Sequence, residues 1–321
     1  MSMPAQFAGR LSIPVIGSPL FIISVPELVI AQCKAGVIGS FPSLNARPLA
    51  QFEEWLQRLN SELGPQDAPY AVNLIVHKSN DRLMADLELC VKYKVPMIIT
   101  SLGARQDVND AIHSYGGIVM HDVINNKFAR KAVEKGADGL IAVAAGAGGH
   151  AGTTSPFALI QEIREWFDGP LALSGSIATG DAVLAAQAMG ADFGYIGSAF
   201  IATEEARAAQ GYKDMIVESA ADDIVYSNLF TGVHGNYLRP SIVKAGMDPD
   251  NLPTSDPSAM NFGSGGNTEA KAWKDIWGCG QGIGAVKQVL PAAALVARLR
   301  REYDAARARL GLATPAAIAA E

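Results

Sequence analysis

Eight short apolar runs alternate with eight helical segments over the first two-thirds of the chain. The runs are rich in β-branched and aliphatic residues and predict strands at residues 13–19, 36–41, 70–76, 96–102, 117–123, 139–145, 171–177 and 193–201. Helical spacing of apolar residues follows each run, at residues 25–35, 48–62, 80–93, 105–114, 126–136, 156–167, 180–189 and 203–209. A strand–helix unit repeated in this way predicts a parallel sheet of the α/β class.

Two features favour a closed barrel over an open sheet. The predicted strands are continuously apolar rather than alternating, as expected for parallel strands covered by helices. The G-x-G-x-x-G fingerprint of open dinucleotide-binding sheets is absent, because GAGGHAG, GSGGN and GCGQGIG all miss its spacing. We therefore predict a (β/α)₈ barrel, the TIM-barrel fold, in which 321 residues leave room for an insertion.

Local signals mark several helix ends. Ser24 and Glu27 have the spacing of a capping box, with a proline between them. Ser155, which precedes another proline, is a second start signal. Gly136 and Gly190 stand where two helices are expected to end.

The pattern changes after the eighth predicted strand. Glycine- and asparagine-rich stretches such as HGNYLRP (234–240) and NFGSGGNTEA (261–270) replace the repeat, and helical periodicity returns over residues 284–311. We predict a barrel over residues 1–209, a cap inserted over its mouth at residues 210–283, and a C-terminal helix and tail at residues 284–321 that pack on the barrel. The alanine-rich tail from Thr314 is expected to be frayed.

Composition and charge exclude several function classes. The chain has a formal net charge of −6 and no basic stripe interleaved with aromatic residues, which argues against a nucleic-acid partner. The most apolar early stretch, residues 11–26, is interrupted by prolines and glycine and is too short for a membrane span. Cys33, Cys90 and Cys279 form no disulfide framework, and the opening residues lack a secretory signal, so a cytoplasmic protein is expected.

Two turns at the ends of the last predicted strands favour a bound phosphate. In a (β/α)₈ barrel, ligands bind at the carboxyl ends of the strands, and the loops after strands seven and eight often hold a phosphate. Those loops contain Gly175-Ser176 and Gly197-Ser198, whose backbone N–H groups can approach an anion closely. Helix N-termini expected after these turns would assist. The alternative is that the glycines only make tight turns.

A glycine-rich loop around one histidine is the sharpest single feature. GAGGHAGT (146–153) follows the sixth predicted strand, and its glycines allow the backbone to pass close to a planar ligand. His150 would project into the barrel mouth, where an imidazole can take a proton from a carbon acid. We predict that His150 is a catalytic base. The other histidines are interpreted as structural: His77, His113, His121 and His234.

Rival chemistries lack their motifs. No HExxH or facial-triad spacing supports a metal site, and no G-x-S-x-G supports a serine hydrolase. Cys279 in WGCGQG is a candidate nucleophile, but the sequence identifies no base beside it.

Several of these motifs together resemble the nitronate monooxygenase family, once called 2-nitropropane dioxygenases. They are IPVIGSPL (13–20), AVNL (71–74), GAGGHAGT (146–153), SGSI (174–177), MGADFGYIGSAFIAT (189–203) and WGCGQGIG (277–284). The resemblance covers essentially the whole predicted barrel and the late motif. The wider superfamily includes FMN-dependent enoyl-acyl-carrier-protein reductases and NADH:quinone reductases, so the resemblance supports the cofactor better than the reaction.

The resemblance implies that FMN lies in the barrel mouth and that His150 is the family's catalytic base. The residues implied to hold the phosphate are Gly175, Ser176, Gly197 and Ser198. Those implied to line the isoalloxazine are Gly17, Ser18, Pro19, Leu20, Asn73, Asp122, Gly148 and Gly149, with Gln281 and Gly282 closing from the C-terminal side.

Two positions depart from the family pattern. Some members carry a lysine in the strand-five motif that contacts the flavin, whereas this chain has Asp122. A carboxylate near the flavin N1–C2 carbonyl region would disfavour the reduced anionic flavin, so either Asp122 points away or the redox behaviour differs. Ser176 stands where a second glycine is common and could add a hydroxyl donor to the phosphate.

The resemblance implies FMN-dependent oxidation of alkyl nitronates or nitroalkanes with O₂. His150 would remove the α-proton of a neutral nitroalkane, a step that an anionic nitronate bypasses. Four cap residues are candidates for contacts with the nitro group: His234, Asn236, Tyr237 and Arg239. Arg239 is equally well explained as a surface ion-pair partner.

Two alternative functions stay open. One is an NAD(P)H-dependent flavin reductase of enoyl thioesters or quinones, because nicotinamide can stack on a flavin without a dinucleotide fold. The other is a flavin-binding barrel without catalysis. The partners expected are a small-molecule substrate and O₂, and the physiological substrate and any homo-oligomer are left undetermined by the sequence.

Overall fold

Eight short parallel strands form the centre of the computed structural model. They are β1 (Val15–Gly17), β2 (Gly39–Pro42), β3 (Tyr70–Ile75), β4 (Met97–Ser101), β5 (Ile118–Val123), β6 (Gly139–Val143), β8 (Leu171–Ser174) and β9 (Phe193–Ile196). The structure describes residue 4 and residues 7–255 and 276–312. The glycine-rich segment 261–270 and the tail from Thr314 therefore lie outside the described residues.

The strands close into a barrel. Hydrogen-bonded neighbours follow the order β1-β9-β8-β6-β5-β4-β3-β2, and a parallel bridge between Ile16 and Ile38 joins the first two strands of the chain. The predicted (β/α)₈ fold is confirmed. One cluster of buried side chains, drawn from nearly every strand, fills the interior: Phe7, Ile16, Ile38, Ala71, Met97, Ile99, Met120, Ile141, Ala172, Phe193 and Tyr195.

Seven helices pack on the outside of the barrel where the sequence predicts them. They are α1 (Pro26–Lys34), α2 (Leu49–Glu62), α3 (Leu83–Lys92), α4 (Gln106–His113), α5 (Asn126–Glu134), α6 (Pro156–Arg164) and α7 (Gly180–Met189). Gly190 ends α7 in the left-handed conformation with φ of 115°, and Gly136 follows α5 with φ of 92°. Within the described residues, no helix combines the length and the apolar character that a membrane span requires.

The predicted eighth helix at residues 203–209 is wrong. A single turn, α8 (Ser198–Ile201), follows β9 directly, and the next helix, α9, spans Gln210–Glu218. Between them Thr203 forms a parallel bridge with Leu290, and this pairing holds the backbone out of helical geometry.

The predicted capping box is also wrong. The residue at the N-cap of α1 is Val25, and the Ser24 hydroxyl accepts a hydrogen bond from Leu20 N at 2.9 Å instead. Glu27 pairs with Arg58. Ser155 stands at the N-cap of α6, but its side chain makes no capping hydrogen bond.

The chain after α9 adds a small sheet above the barrel. Strands β10 (Ile224–Ser227) and β11 (Gly235–Leu238) form an antiparallel pair, and β11 also pairs with the two-residue strand β7 (Gly149–His150). The loop after β6 therefore shares hydrogen bonds with a segment more than eighty residues later, a pairing that the sequence gives no sign of. Helix α10 (Arg239–Lys244) follows β11.

A long C-terminal helix, Ala292–Arg309, packs on α7 and α1. The contact with α7 is close, because Gly180 lies against the helix backbone and its N–H donates to the Glu302 carboxylate at 2.9 Å. A Cβ atom at Gly180 would overlap the backbone of Leu299 and Tyr303. Glycine at this position is therefore what lets the two helices meet.

We expect Gly180→Ala to destabilise the protein by about 1–3 kcal/mol, because the added methyl group meets immovable backbone. Thermal unfolding measures the loss. Gly211→Ala in α9 is the matched control, since its Cβ would make only ordinary contact, 3.6 Å from the Trp277 ring. A Gly180→Ala variant as stable as Gly211→Ala would contradict the packing described.

Candidate active site

A large cavity opens at the carboxyl ends of the barrel strands. Its volume is about 1500 Å³, above the roughly 300–1,000 Å³ of most small-molecule sites. Seven strands contribute through their carboxyl-terminal halves or the loops that follow, with Ser18, Asn73, Ser101, Asp122, Gly148, Gly175 and Gly197. The chain after α9 covers one side through Tyr226, Thr231 and His234. This is the end of the barrel at which (β/α)₈ enzymes bind their ligands.

Three loops meet backbone to backbone on one side of the cavity. A Cβ atom at Gly148 would lie 2.8 Å from Gly280 N, and one at Gly282 would lie 2.8 Å from the Ser176 carbonyl carbon. Gln281 N donates to Gly146 O at 2.9 Å. Only glycine permits such close approach, so these residues bring the loops after β6 and β8 and the late WGCGQG segment into direct contact.

The turns after β8 and β9 present backbone donors to the cavity. Gly175 has φ of 143° and Ser176 has φ of 56°, so both peptide groups are turned into conformations that favour glycine. In the described part of the chain, the N–H groups of Gly197 and Ser198 have no backbone hydrogen-bond acceptor. Unused N–H groups in a concave turn are suited to an anion. The donor set fits a phosphate, because Gly197 places no Cβ beside these donors.

His150 lies at the edge of the same cavity, on β7. Its Nε2 is 3.0 Å from the Thr231 hydroxyl, and that hydroxyl donates to Val233 O at 3.0 Å. With the hydroxyl proton of Thr231 on Val233 O, the contact assigns the proton of His150 to Nε2 and the lone pair to Nδ1. Burial lowers the pKa of His150 to about 4, so the imidazole is neutral at neutral pH.

Asp122 faces the cavity at the end of a short hydrogen-bond chain. Asn73 Nδ2 donates to Ser101 Oγ at 2.7 Å and to Ile99 O at 3.0 Å, and Ser101 Oγ donates to Asp122 Oδ2 at 2.6 Å. Burial raises the pKa of Asp122 to about 6, although the Ser101 hydrogen bond opposes the shift. Both amide protons of Asn73 are used, so its Oδ1 is the atom left for a ligand.

Tyr195 lies beside this chain inside the barrel mouth. Burial raises the pKa of its phenol far above the usual range, and the charge of Asp122 adds to the effect, whereas a hydrogen bond with Ser18 opposes it. The phenol is therefore neutral and available as a hydrogen-bonding group at the floor of the cavity.

Most of the residues implied to bind cofactor or substrate line this cavity. They are Ser18, Pro19, Leu20, Asn73, Asp122, Gly148, Gly149, His150, Gly175, Ser176, Gly197, Ser198, Gly282 and His234. The imidazole of His234 stacks on Tyr226 with ring centroids 5.1 Å apart.

Five implied residues do not line the cavity. Gly17 lies behind the cavity wall, where a Cβ atom would overlap the Gln32 side chain. Gln281 contacts the neighbouring loop through its backbone, because its N–H donates to Gly146 O. The structure also places three cap candidates elsewhere: Asn236 donates to Ala147 O at 2.6 Å, Tyr237 is fully buried in the cluster around Ile242, and Arg239 pairs with Asp250 at 3.0 Å. Their side chains support the small sheet rather than face a ligand.

Three residues at the site were missed by the sequence analysis. Ser101 ends β4, so the rule that strand ends carry the site could have found it. Tyr195 lies inside β9 and reads as ordinary core. Thr231 gives no local signal, because its contact with His150 crosses 81 residues of chain.

The fold and the site together define a class: (β/α)₈ barrels whose cavity is lined by glycine turns after the last two strands and by a neutral histidine. A family model described as nitronate monooxygenase matches residues 45–302. A nitronate monooxygenase of Paraburkholderia phytofirmans is 27% identical over 342 residues, covering 90% of this chain and 92% of the relative.

Solved structures with the same fold extend over nearly the whole chain. A nitroalkane oxidase of Streptomyces ansochromogenes matches with a TM-score of 0.81 at 23% identity, covering 95% of this chain and 100% of that one. FabK of Thermotoga maritima matches with a TM-score of 0.77 at 22% identity, covering 94% and 96%.

The chain belongs to the nitronate monooxygenase family, since the family model spans most of its length. It is accordingly a flavin-dependent oxidoreductase, and the resemblance of its motifs to this family is confirmed.

Asp122 should make stability depend on pH. A carboxyl group whose pKa is raised by folding stabilises the native state below its unfolded pKa, and this contribution is lost as pH rises through the folded value near 6. We therefore expect the free energy of unfolding of Asp122→Asn, relative to that of wild type, to rise by about 1–2 kcal/mol as the pH is raised from 4 to 7.5. Urea denaturation of the apoprotein at the two pH values tests this.

Asp110→Asn is the control for that measurement, because Asp110 is an exposed carboxylate on α4. The buried-charge interpretation fails if the two variants show the same change of stability with pH.

Proposed function

We propose that the chain is an FMN-dependent nitronate monooxygenase that oxidises alkyl nitronates and nitroalkanes with O₂. The observation that carries the proposal is the placement of a neutral imidazole, His150, on the same cavity as the anion cradle of Gly175, Gly197 and Ser198. Family membership and the name of the Paraburkholderia relative support the reaction.

The proposed cofactor is FMN, bound through its phosphate at the turns after β8 and β9. The cradle accommodates one phosphate, and the chain has no dinucleotide fingerprint for a second. The residues that would hold the ring system are Ser18, Pro19, Leu20, Asn73, Gly148, Gly149 and Gly282. When bound, the flavin supplies the electron acceptor that no amino-acid side chain provides.

His150 would act as the base through Nδ1. In the tautomer with its proton on Nε2 toward Thr231, the lone pair on Nδ1 would accept the α-proton of a neutral nitroalkane. The depressed pKa keeps this nitrogen unprotonated at neutral pH. A nitronate has already lost its α-proton and needs no base.

Asp122 would tune the charge of the site. It is the single acidic residue among those that line the cavity in the described part of the chain. In its ionised form it opposes further negative charge nearby, so this chain should differ in redox behaviour from relatives that carry a lysine. Below pH 6 that opposition weakens as the carboxyl takes up a proton.

The domain arrangement also stays a proposal. In it, residues 1–209 form the barrel, residues 210–283 the cap, and residues 284–321 the packed helix and tail. The contribution of Tyr226, Thr231 and His234 to the cavity wall supports a cap that keeps water from the reacting atoms. A cytoplasmic location is proposed from the three buried free cysteines, which suit a reducing compartment.

Gly197→Val should lower flavin content without unfolding the protein. Gly197 has an ordinary negative φ, and a Cβ there would meet Leu20 and Ser18 at 3.4 Å, so the barrel can accept a side chain. The branches of valine would enter the space assigned to the phosphate. Flavin absorbance per protein, read beside the thermal transition, separates the two effects. Full flavin content in this variant would refute the assignment of the phosphate to the turn after β9.

His150→Ala should lose about 10²–10⁴-fold of activity on a neutral nitroalkane, the usual contribution of a positioned base. Activity on the pre-formed nitronate should fall much less, because no proton is removed. Initial rates with both forms of one substrate, together with the spectrum of the bound flavin, give the comparison. Equal losses on both forms would exclude His150 as the base.

Thr231→Val tests the orientation of the imidazole in the same assay. Without the hydroxyl, the proton is no longer fixed on Nε2, so activity on the neutral nitroalkane should fall about tenfold and recover in Thr231→Ser, which keeps the hydroxyl. A Thr231→Ser variant as slow as Thr231→Val would show that packing rather than the hydrogen bond matters.

A further inference from the structure

Exposed apolar side chains are concentrated on the outer part of the cavity. Of the ten large apolar residues exposed in the described part of the chain, five line this one cavity. Four of them form what we call the apolar rim: Phe21, Ile22, Ile124 and Phe128. A soluble surface has no structural need to gather such residues at an opening, so the concentration points to a ligand.

The apolar rim has two sides that face each other. Phe21 and Ile22 follow β1, whereas Ile124 and Phe128 follow β5. These strands are four positions apart in the eight-stranded barrel, and therefore stand on opposite sides of its mouth. Neither side belongs to the anion cradle, which follows β8 and β9. A ligand that extends outward from His150 would pass between them.

The β1 side is held in place against backbone strain. Ile22 has φ of 57°, a conformation that a β-branched residue adopts only when its surroundings impose it. The buried Asn45 imposes it, because its Oδ1 accepts from Ile22 N at 2.7 Å and its Nδ2 donates to Leu20 O and Ser24 O. Arg207 Nε donates to Ile22 O at 2.9 Å. The fold thus maintains an exposed isoleucine at the cavity mouth.

Cationic side chains stand beside each side of the apolar rim. The cavity wall carries Arg47, Arg82, Lys131 and Arg207 but only one described acidic residue, although the chain as a whole has a net charge of −6. Arg82 is already paired with Asp86. Lys131 lies three residues after Phe128 on α5 and therefore on the same helix face. Arg207 contacts Ile22 directly.

We propose that the cavity binds an amphiphilic substrate with a long hydrocarbon chain. The reacting group lies beside His150, the chain lies between the two sides of the apolar rim, and an anionic group at the far end meets Lys131 on the β5 side. The inference rests on the proposed function only for the reacting end. A compact nitroalkane would leave the rim, its strained isoleucine and its cations without a role.

Unreactive carboxylates test this substrate class without requiring turnover. Hexanoate, decanoate and decanedioate are titrated into the purified flavin-loaded protein, and dissociation constants are measured by calorimetry. A fully buried methylene improves affinity about fourfold, and a half-exposed rim should give about twofold. Decanoate should therefore bind on the order of tenfold more tightly than hexanoate. Decanedioate should bind at least as tightly as decanoate, despite its second charge.

Matched variants locate the effect. Phe128→Ser should reduce the ratio of the hexanoate and decanoate dissociation constants by about twofold or more, on the order of one lost methylene contact at the half-exposed rim. Phe157→Ser should leave the ratio unchanged, because Phe157 is more exposed, at 63% against 46%, and lies outside the cavity. Lys131→Glu should weaken decanedioate several-fold more than decanoate, whereas Lys127→Glu on the same helix, also outside the cavity, should affect both alike.

The possible results separate this inference from the proposed function. Equal affinity for hexanoate and decanoate, or identical behaviour of Phe128→Ser and Phe157→Ser, would overturn the hydrocarbon site. If Lys131→Glu weakened the binding of decanoate and decanedioate equally, the contact between Lys131 and an anionic group of the substrate would be refuted. A wild type that binds by chain length but oxidises no nitronate would refute the proposed function alone, and a nitronate oxidase without chain-length dependence would refute the inference alone.

Discussion

Direct contact between three glycine-containing loops is the constraint on which the site depends. The loop after β6, the turn after β8 and the late segment at 278–282 approach so closely that a single Cβ atom at Gly146, Gly148 or Gly282 would collide with a neighbouring loop. This contact positions the backbone N–H groups of the turns after β8 and β9. It also places β7 next to the chain that follows α9. His150 reaches the cavity because β7 pairs with β11. One packing constraint therefore places both the glycine turns and the histidine at the cavity.

Low solvent access then determines how the polar groups of the cavity behave. The same burial that keeps His150 neutral raises the pKa of Asp122 and of Tyr195, so each group is shifted toward its uncharged form. The imidazole of His150 therefore stays neutral at neutral pH, while the carboxyl of Asp122 changes charge near pH 6. The cavity thus has one group that stays uncharged and another whose charge responds to pH in the physiological range.

Much of the barrel is predictable from sequence because its signals are local. Continuous apolar runs gave all eight strands, and glycines such as Gly190 marked helix ends through backbone conformation alone. The segment at 203–209 failed because its geometry is set by a bridge from Thr203 to Leu290, which helical spacing cannot reveal. Propensity is a weak guide wherever such distant pairing decides the local structure.

The candidate site divides in the same way. His150, Asp122 and the cradle glycines follow strand ends, so a rule about barrel topology was enough to select them. The sequence could not tell which cap residues line the cavity. Whether Asn236 or His234 does so depends on the register between β11 and β7, which only the folded structure reveals. Thr231 and the clamp of Asn45 on Ile22 arise from tertiary contacts between segments that share no sequence pattern.

Anaerobic reduction of the bound flavin tests the central claim most directly. The purified protein is mixed without oxygen with an alkyl nitronate, and separately with NADH and NADPH, while the flavin absorbance is followed. We expect the nitronate to bleach the flavin, readmitted oxygen to restore the absorbance, and the nicotinamides to have no comparable effect. Bleaching by NADH or NADPH with no response to any nitronate would contradict the proposed function and favour a reductase, and no bleaching by any of them would indicate a barrel that binds flavin without turning over these substrates.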